Sequence, residues 1–352
     1  MVPLLVQTAY MDLLQRFEAR PQVSIPGSIL RVKKSGRTFH VSRRRVGGKV
    51  VEESIGPDTA ETRELVRIAE QEKAALKDWD RENAELVGMI RKAGAISPDM
   101  GSGKILNALS RIGFFSAGGI LGGTAAFRFY PLFLGIRPPV KDMVMTGDID
   151  MLAPSHIRLC APDESLSGLL RDAGLEFTTV FPLEETAPPR FISGGIALEI
   201  LSNMSRSGEY YHLHKGIGEK VTALKFLEYS MKDPVRQVAL YRSGVEILTP
   251  SPERFAFHKL IVAQLRTGSY SLKRTKDLAQ ADWLIRHLVQ ARPQDTWDAW
   301  QDIRSRGKGW TRRIDLSLKE LPHARKALDR LEQDMQGHDD LDEDFDDDLK
   351  PR

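Results

Sequence analysis

The stretch TGDIDML (residues 146–152) decides the predicted fold, together with the shorter stretch LGGT (residues 121–124) before it. Side chains alternate along a strand, so Asp148 and Asp150 lie on one face of the strand predicted over 146–152. Two carboxylates on one face can share a hard divalent cation. The glycine pair opens a predicted helix, where backbone N–H groups can approach a polyphosphate. The two stretches together predict a site for a divalent cation and phosphates.

The chain around these motifs alternates between strand and helix patterns. The predicted strands are 114–121, 146–152, 176–181 and 196–201, the predicted helices are 124–134 and 164–173, and a hairpin joins 238–241 to 245–248. This order predicts an α/β (α+β) fold whose core is a small mixed β-sheet.

The motifs resemble the signature of the DNA polymerase β-like nucleotidyltransferase superfamily, in which Gly-Gly or Gly-Ser at a helix start precedes Asp-x-Asp or Asp-x-Glu on the next strand. The likeness spans roughly residues 110–290 and is greatest to the bacterial branch that includes toxin-type enzymes of abortive-infection systems. It implies that Asp148 and Asp150 are catalytic ligands of Mg²⁺ (or Mn²⁺). It also implies that the nucleoside triphosphate is bound by the turn Gly122, Gly123 and Thr124.

One feature departs from the family pattern. Between Gly123 and Asp148 lie 24 residues, a longer interval than the family usually has. The excess, residues 131–145, contains three prolines and suggests a loop over the site.

The resemblance also implies a third carboxylate on a later strand, and GGIALEIL (residues 194–201) offers Glu199. Alternation places Ile196, Leu198 and Ile200 on one side of this strand and Glu199 on the other, beside the aspartate pair. A cation would offset the cost of burying this acid, whereas the alternative is a glutamate that faces solvent on an edge strand.

Two lysines follow in a predicted C-terminal helical region. Ser251-Pro252-Glu253 is a strong helix start, and the resemblance implies that Lys259 on that helix faces the triphosphate. The alternative is a solvated lysine. Lys276, on a second helix from about residue 274, matches a nucleotide-pocket position in related toxins, but Lys276-Asp277 equally fits a surface ion pair.

The N-terminal region is basic. Eight bases and no acid lie between Arg31 and Lys49, in short predicted strands separated by glycine turns. Phosphate contacts supply most sequence-independent affinity for nucleic acids, so Arg43, Arg44 and Arg45 are candidate RNA contacts. The alternative is a solvated basic face. A long helix predicted over 59–92 packs against its own chain in our preferred interpretation, and a dimer through this helix is the other possibility.

The predicted organisation has four parts. These are a basic N-terminal module with the long helix (1–100), a nucleotidyltransferase core (101–250), a C-terminal helical domain (251–336) and an acidic disordered tail (337–352). The formal charge is +3, and the last 14 residues hold eight acids and two bases, so the remainder carries about +9. The single cysteine, the lack of a signal-like start and the lack of a long apolar run suggest a cytoplasmic protein without a membrane span.

The expected function is Mg²⁺-dependent transfer of an NMP from an NTP to an acceptor hydroxyl. RNA, particularly a tRNA end, is the expected acceptor because of the basic module and the likeness to toxins. Nucleotidylation of a protein or a small molecule would use the same three carboxylates. A catalytically silent nucleotidyltransferase fold that binds nucleic acid as an adaptor is a further alternative.

Overall fold

The computed structural model describes residues 2–46, 49–161, 163–182, 187–205, 208–266 and 271–347, without the side chains of residues 45, 46, 49, 271 and 337–347. The N-terminal elements are α1 (Leu4–Glu18), β1 (Ser28–Lys34), β2 (Arg37–Val46), β3 (Lys49–Pro57) and α2 (Ala60–Lys92). The three strands form an antiparallel sheet in the order β1-β2-β3. The short basic strands and the long helix therefore form as the sequence predicts.

Helix α2 packs against its own chain. The rings of Phe17 and Trp79 meet edge to face with centroids 4.9 Å apart, and Val87 and Ile90 are buried in the same cluster. This cluster also contains Leu132, Val238 and Leu240, so it joins α1 and α2 to the predicted core. The boundary at residue 100 and a dimer through α2 both stay predictions.

The central region supplies a second, larger sheet. Its elements are α3 (Met100–Arg111), β4 (Ile120–Leu121), α4 (Gly123–Phe127), α5 (Tyr130–Phe133), α6 (Lys141–Val144), β5 (Asp148–Leu152), α7 (Leu166–Asp172), β6 (Thr178–Val180), β7 (Arg190–Ser193), β8 (Ile196–Asn203), β9 (Tyr211–His214), β10 (Glu219–Leu224), α8 (Leu227–Met231), β11 (Val235–Ala239) and β12 (Val245–Thr249). Five strands follow the order β4-β5-β8-β10-β9, and β7 joins β6 to β8. Pairs β5–β8 and β8–β10 are parallel and the others antiparallel, which makes the sheet mixed as predicted.

Two predicted elements are wrong in extent. The strand expected over 114–121 is reduced to β4, because the glycine-rich residues before it form turns in which Gly118 takes φ +96°. The helix expected over 124–134 is divided into α4 and α5. Pro131 has no N–H to donate to the carbonyl of Phe127, so the helical ladder cannot continue there.

The C-terminal region is helical, as predicted. It comprises α9 (Pro252–Leu265), α10 (Ser271–Ala291), α11 (Pro293–Ser305), α12 (Lys308–Lys319) and α13 (Pro322–Asp347). Ser251 caps α9 by accepting a hydrogen bond from the N–H of Arg254 at 3.3 Å, and Pro252 occupies the first turn. The backbone of α13 is helical as far as Asp347, so it enters the tail for which the charge pattern predicts disorder; residues 348–352 lie outside the described part. In the described residues, every helix is too short or too polar to cross a lipid bilayer.

Candidate active site

Three carboxylates meet where β5 and β8 run side by side. The strands are parallel, and their register places Asp150 opposite Glu199. Ile149 and Leu198 are buried in the core, so Asp148, Asp150 and Glu199 face the other side of the sheet. β8 is flanked by strands on both edges, so the edge-strand alternative for Glu199 is wrong.

Negative charge accumulates at Asp150. Burial, and then repulsion from Glu199, raise the pKa of the Asp150 carboxyl to about 6, although Lys259 opposes this shift. A raised carboxyl pKa means that the fold supplies too little positive charge to stabilise the ionised form. The site therefore favours an added cation.

Two basic side chains partly neutralise the other acids. Lys273 Nζ lies 3.3 Å from Asp148 Oδ2, and Arg190 Nε donates to Glu199 Oε1 at 3.1 Å. In the part of the chain that the structure describes, the acids do not already form a set of three metal ligands. Their oxygens suit a hard divalent ion.

The glycine turn lies against Asp150. Gly122 N–H donates to the Asp150 carbonyl at 2.8 Å, so this N–H already has a partner in the sheet, and the nucleotide contact of Gly122 stays a prediction. Gly123 has φ +57°, and a Cβ there would lie 1.8 Å from Asp150 Oδ2. Only glycine fits at this position, and the first turn of the short helix α4, with Thr124, stays beside the carboxylates.

A buried ion cluster joins α9 to α10. Lys259 pairs with Asp277 Oδ1, and Arg266 Nε lies 2.5 Å from Asp277 Oδ2. Lys259 is 6% exposed and Asp277 is 2% exposed, so neither the solvated-lysine alternative nor the surface-pair alternative is correct. Burial acts to raise the pKa of Asp277, but Lys259 and Arg266 lower it below its usual value.

One face of α10 holds the segment that leads into β5. Lys273 contacts Asp148, Lys276 donates to the Met145 carbonyl, and Gln280 Nε2 donates to the Met143 carbonyl at 2.7 Å. Gln280 is fully buried and also lies 3.4 Å from Thr124 Oγ1. The long interval before Asp148 (residues 131–145) thus contains α5 and α6, and hydrogen bonds from α10 hold its end in place.

These elements enclose a cavity of about 290 Å³. The three acids lie on one wall, and the wall formed by α9 and α10 carries Lys259, Arg266, Lys273 and Lys276. Burial, and then the charge of Lys259, hold the pKa of Lys276 below its ordinary value. A cavity with acids facing bases can bind a cation together with the anionic group that accompanies it.

Sequence reasoning missed several residues that the structure brings to this cavity. Lys273 and Gln280 lie three residues before and four residues after Lys276, and this helical spacing was the available signal. Arg266 lies seven residues after Lys259, and this spacing already placed the two on one face of the predicted helix, whereas Arg190 gave no local signal because its partner Glu199 lies on another strand.

The candidate RNA contacts lie on the N-terminal sheet rather than in this cavity. Arg43 Nη2 is 2.6 Å from Glu52 Oε1, and Arg44 Nη2 is 2.6 Å from Glu53 Oε1. The acids of β3 therefore offset part of the charge expected on β2. The side chain of Arg45 lies outside the described residues.

Comparison with known proteins identifies the family. A family model described as nucleotidyltransferase matches residues 101–305, more than half of the chain. A solved structure described as an antigenic nucleotidyltransferase-like protein from Paracoccidioides brasiliensis is 16% identical, with 64% of this chain and 94% of that chain covered and a TM-score of 0.32, too low to carry an argument. Among curated proteins, none matches significantly. The matched region contains both the carboxylate strands and α9–α10, and the family generally uses an NTP and a divalent metal ion. This chain therefore belongs to the nucleotidyltransferase family and is a transferase of the nucleotidyl class.

Proposed function

We propose that this protein transfers an NMP from an NTP to a hydroxyl of RNA, particularly a tRNA end, with Mg²⁺ or Mn²⁺. The observation that carries the proposal is the cavity in which Asp148, Asp150 and Glu199 face the basic side chains of α9 and α10. The register of β5 and β8 fixes the acids, and the buried Lys259–Asp277 pair fixes the opposite wall.

In this proposal the acids hold the metal ion and the bases neutralise phosphate charge. Asp148, Asp150 and Glu199 would hold a divalent ion, which would supply Lewis-acid chemistry by neutralising phosphate charge and lowering the pKa of the acceptor hydroxyl. Lys259 and Lys276 neutralise the triphosphate as pyrophosphate leaves, and Glu199 accepts the proton of the hydroxyl. Gly123 keeps the turn next to Asp150 free of a side chain, so that the phosphates can approach the carboxylates.

RNA is favoured as acceptor by the positive charge of the body and by the resemblance to toxin-type enzymes, and the proposed place of action is the cytoplasm. A protein or small-molecule acceptor would use the same carboxylates. A catalytically silent adaptor is disfavoured, because all three acids face one cavity.

Label transfer tests this function. The protein is incubated with each labelled NTP, Mg²⁺ and total cellular RNA or protein, and the products are separated by electrophoresis. We expect labelled RNA, and we expect Asp148→Asn, Asp150→Asn and Glu199→Gln each to reduce labelling by more than about 100-fold, because amides cannot supply the ligand charge and a bound metal ion contributes several kcal/mol. Glu61→Gln, at an exposed position of α2, is the matched control and should retain activity. Full activity in either aspartate variant would sink the proposal.

A further inference from the structure

A groove of about 750 Å³ lies beside α3, separate from the carboxylate cavity. One wall is the exposed face of α3, with Lys104, Asn107 and Arg111, and the opposite wall includes Ser193 and the turn that starts β8. Arg242, from the connection between β11 and β12, lies at the same groove.

Its positive charge is uncompensated. Lys104, Arg111 and Arg242 are exposed, and the described part of the chain offers none of them an ion pair with a carboxylate. Glu176 is the one acid among the described lining residues. By contrast, Arg43 and Arg44 of the N-terminal sheet are both paired with glutamates.

The arrangement suits a chain of phosphates. Lys104 and Arg111 are seven residues apart on α3, which separates them by about 10 Å along the helix axis. Arg242 has φ +54°, a left-handed conformation that side-chain-bearing residues rarely adopt, and its guanidinium lies 5.4 Å from the centroid of the Tyr241 ring.

The groove also lies close to the catalytic strands. Ser193 on its rim pairs with Ile196, the first residue of β8, and Glu199 follows three residues later, about 10 Å along the strand. Ala197 N–H donates to the Gly147 carbonyl at 3.0 Å, next to Asp148. The acids face the side of the sheet opposite α3, so a strand that leaves the groove would reach them by passing the turn at the start of β8.

We propose that this groove binds the sugar-phosphate backbone of the acceptor RNA and leads its end toward Asp148, Asp150 and Glu199. This inference rests on the proposed function, because it assigns the binding surface for that acceptor. Lys104, Arg111 and Arg242 contact phosphates and position the strand, and the carboxylate cavity binds the NTP separately.

The test compares two variants with the same loss of charge. The groove variant is K104Q/R111Q/R242Q, and the control is K308Q/R312Q/K319Q, at three exposed bases of α12. Binding of a fluorescein-labelled single-stranded oligouridylate is measured between about 50 and 200 mM salt. We expect the groove variant to lower the slope of log affinity against log salt by about two units, because each lost phosphate contact of a single strand removes roughly 0.7. The control should change the slope far less.

Affinity for each NTP with Mg²⁺, measured by calorimetry, should stay unchanged in both variants. A groove variant whose RNA binding equals that of the control would overturn the groove assignment while leaving the proposed function intact, provided that the wild type labels RNA. If the wild type labels protein and not RNA, the RNA occupant is wrong. If it labels neither, the proposed function fails and the groove assignment fails with it.

Discussion

The Asp150 carboxylate lies in surroundings that disfavour its ionised form. Its strand supplies Asp148, the parallel strand supplies Glu199, and the glycine turn leaves space for nothing larger than hydrogen beside it. The pKa of Asp150 is raised to about 6 by burial and by Glu199, so the ionised form destabilises the fold in the absence of a cation.

Asp150→Asn should stabilise the metal-free protein at neutral pH. The folded-state pKa of about 6 lies above the unfolded value, so the penalty is absent below about pH 4 and complete above about pH 6. We expect the variant to gain about 1–2 kcal/mol in free energy of unfolding at pH 7.5, less than the full shift implies because the side chain keeps some solvent contact. Urea denaturation with chelator at pH 4 and pH 7.5 measures this, and an equal gain at both pH values would contradict it. Added Mg²⁺ should stabilise the wild type more than the variant.

Gly123→Ala should damage both fold and activity. The new Cβ would lie 1.8 Å from Asp150 Oδ2 at a residue with φ +57°, so the turn or the carboxylate must move. We expect a loss of about 2 kcal/mol or more in free energy of unfolding. Gly147→Ala is the matched control, because a Cβ there meets no atom within 4 Å and its φ is not left-handed. Thermal denaturation of the two variants compares them, and equal stability would remove the steric argument.

At the scale of elements, α9 and α10 form the basic wall as a pair. Lys259 and Arg266 of the α9 region both form ion pairs with Asp277 of α10. On the same helix, Lys273, Lys276 and Gln280 contact β5 or the segment that leads into it. Buried charges are costly unless they are paired, so Asp277 keeps both cations in the wall of the cavity.

Asp277→Asn should therefore lower the free energy of unfolding, because Lys259 and Arg266 lose their shared partner. Removing one partner of a buried pair typically costs about 3–5 kcal/mol, because the remaining charge is left uncompensated. The lowered pKa of Asp277 means that its contribution is present above the unfolded pKa and is lost as pH falls through the folded pKa. Chemical denaturation at neutral and acidic pH should show a large difference between variant and wild type at neutral pH that shrinks in acid. Asp298→Asn, at an exposed position of α11, should change stability little. A variant as stable as the wild type at neutral pH would show that the pair does not organise the wall.

At the scale of the whole molecule, charge is divided between a basic body and an acidic tail. The last 14 residues carry eight acids and two bases, whereas the rest of the chain is strongly positive. Within the body, pairing with Glu52 and Glu53 moderates Arg43 and Arg44, while the groove beside α3 keeps its cations unpaired.

Deleting residues 339–352 should strengthen RNA binding at low salt, because the negatively charged tail competes with RNA phosphates for the basic body.

Changing Arg43, Arg44 and Arg45 together to alanine should flatten the salt dependence of RNA binding, but by less than the groove variant, since two of the three are paired in the fold. Both effects are measured by titrating labelled RNA at several salt concentrations. Unchanged RNA binding after the deletion would mean that the tail does not compete with RNA and serves solubility only. An unchanged slope of log affinity against log salt would mean that the three arginines are a solvated surface without RNA contacts.

The sequence alone determined what short-range periodicity encodes. Alternation along one strand placed Asp148 and Asp150 on one face, the Ser251-Pro252 start defined α9, and the strand pattern of residues 196–201 oriented Glu199. Tertiary structure alone decided which charges meet: Lys273 contacts Asp148 across 125 residues, and Asp277 turned from a suspected surface acid into a buried partner of Lys259. Strand and helix periods are set by neighbouring residues, whereas ion-pair partners are selected by the packing of elements that are distant in the chain.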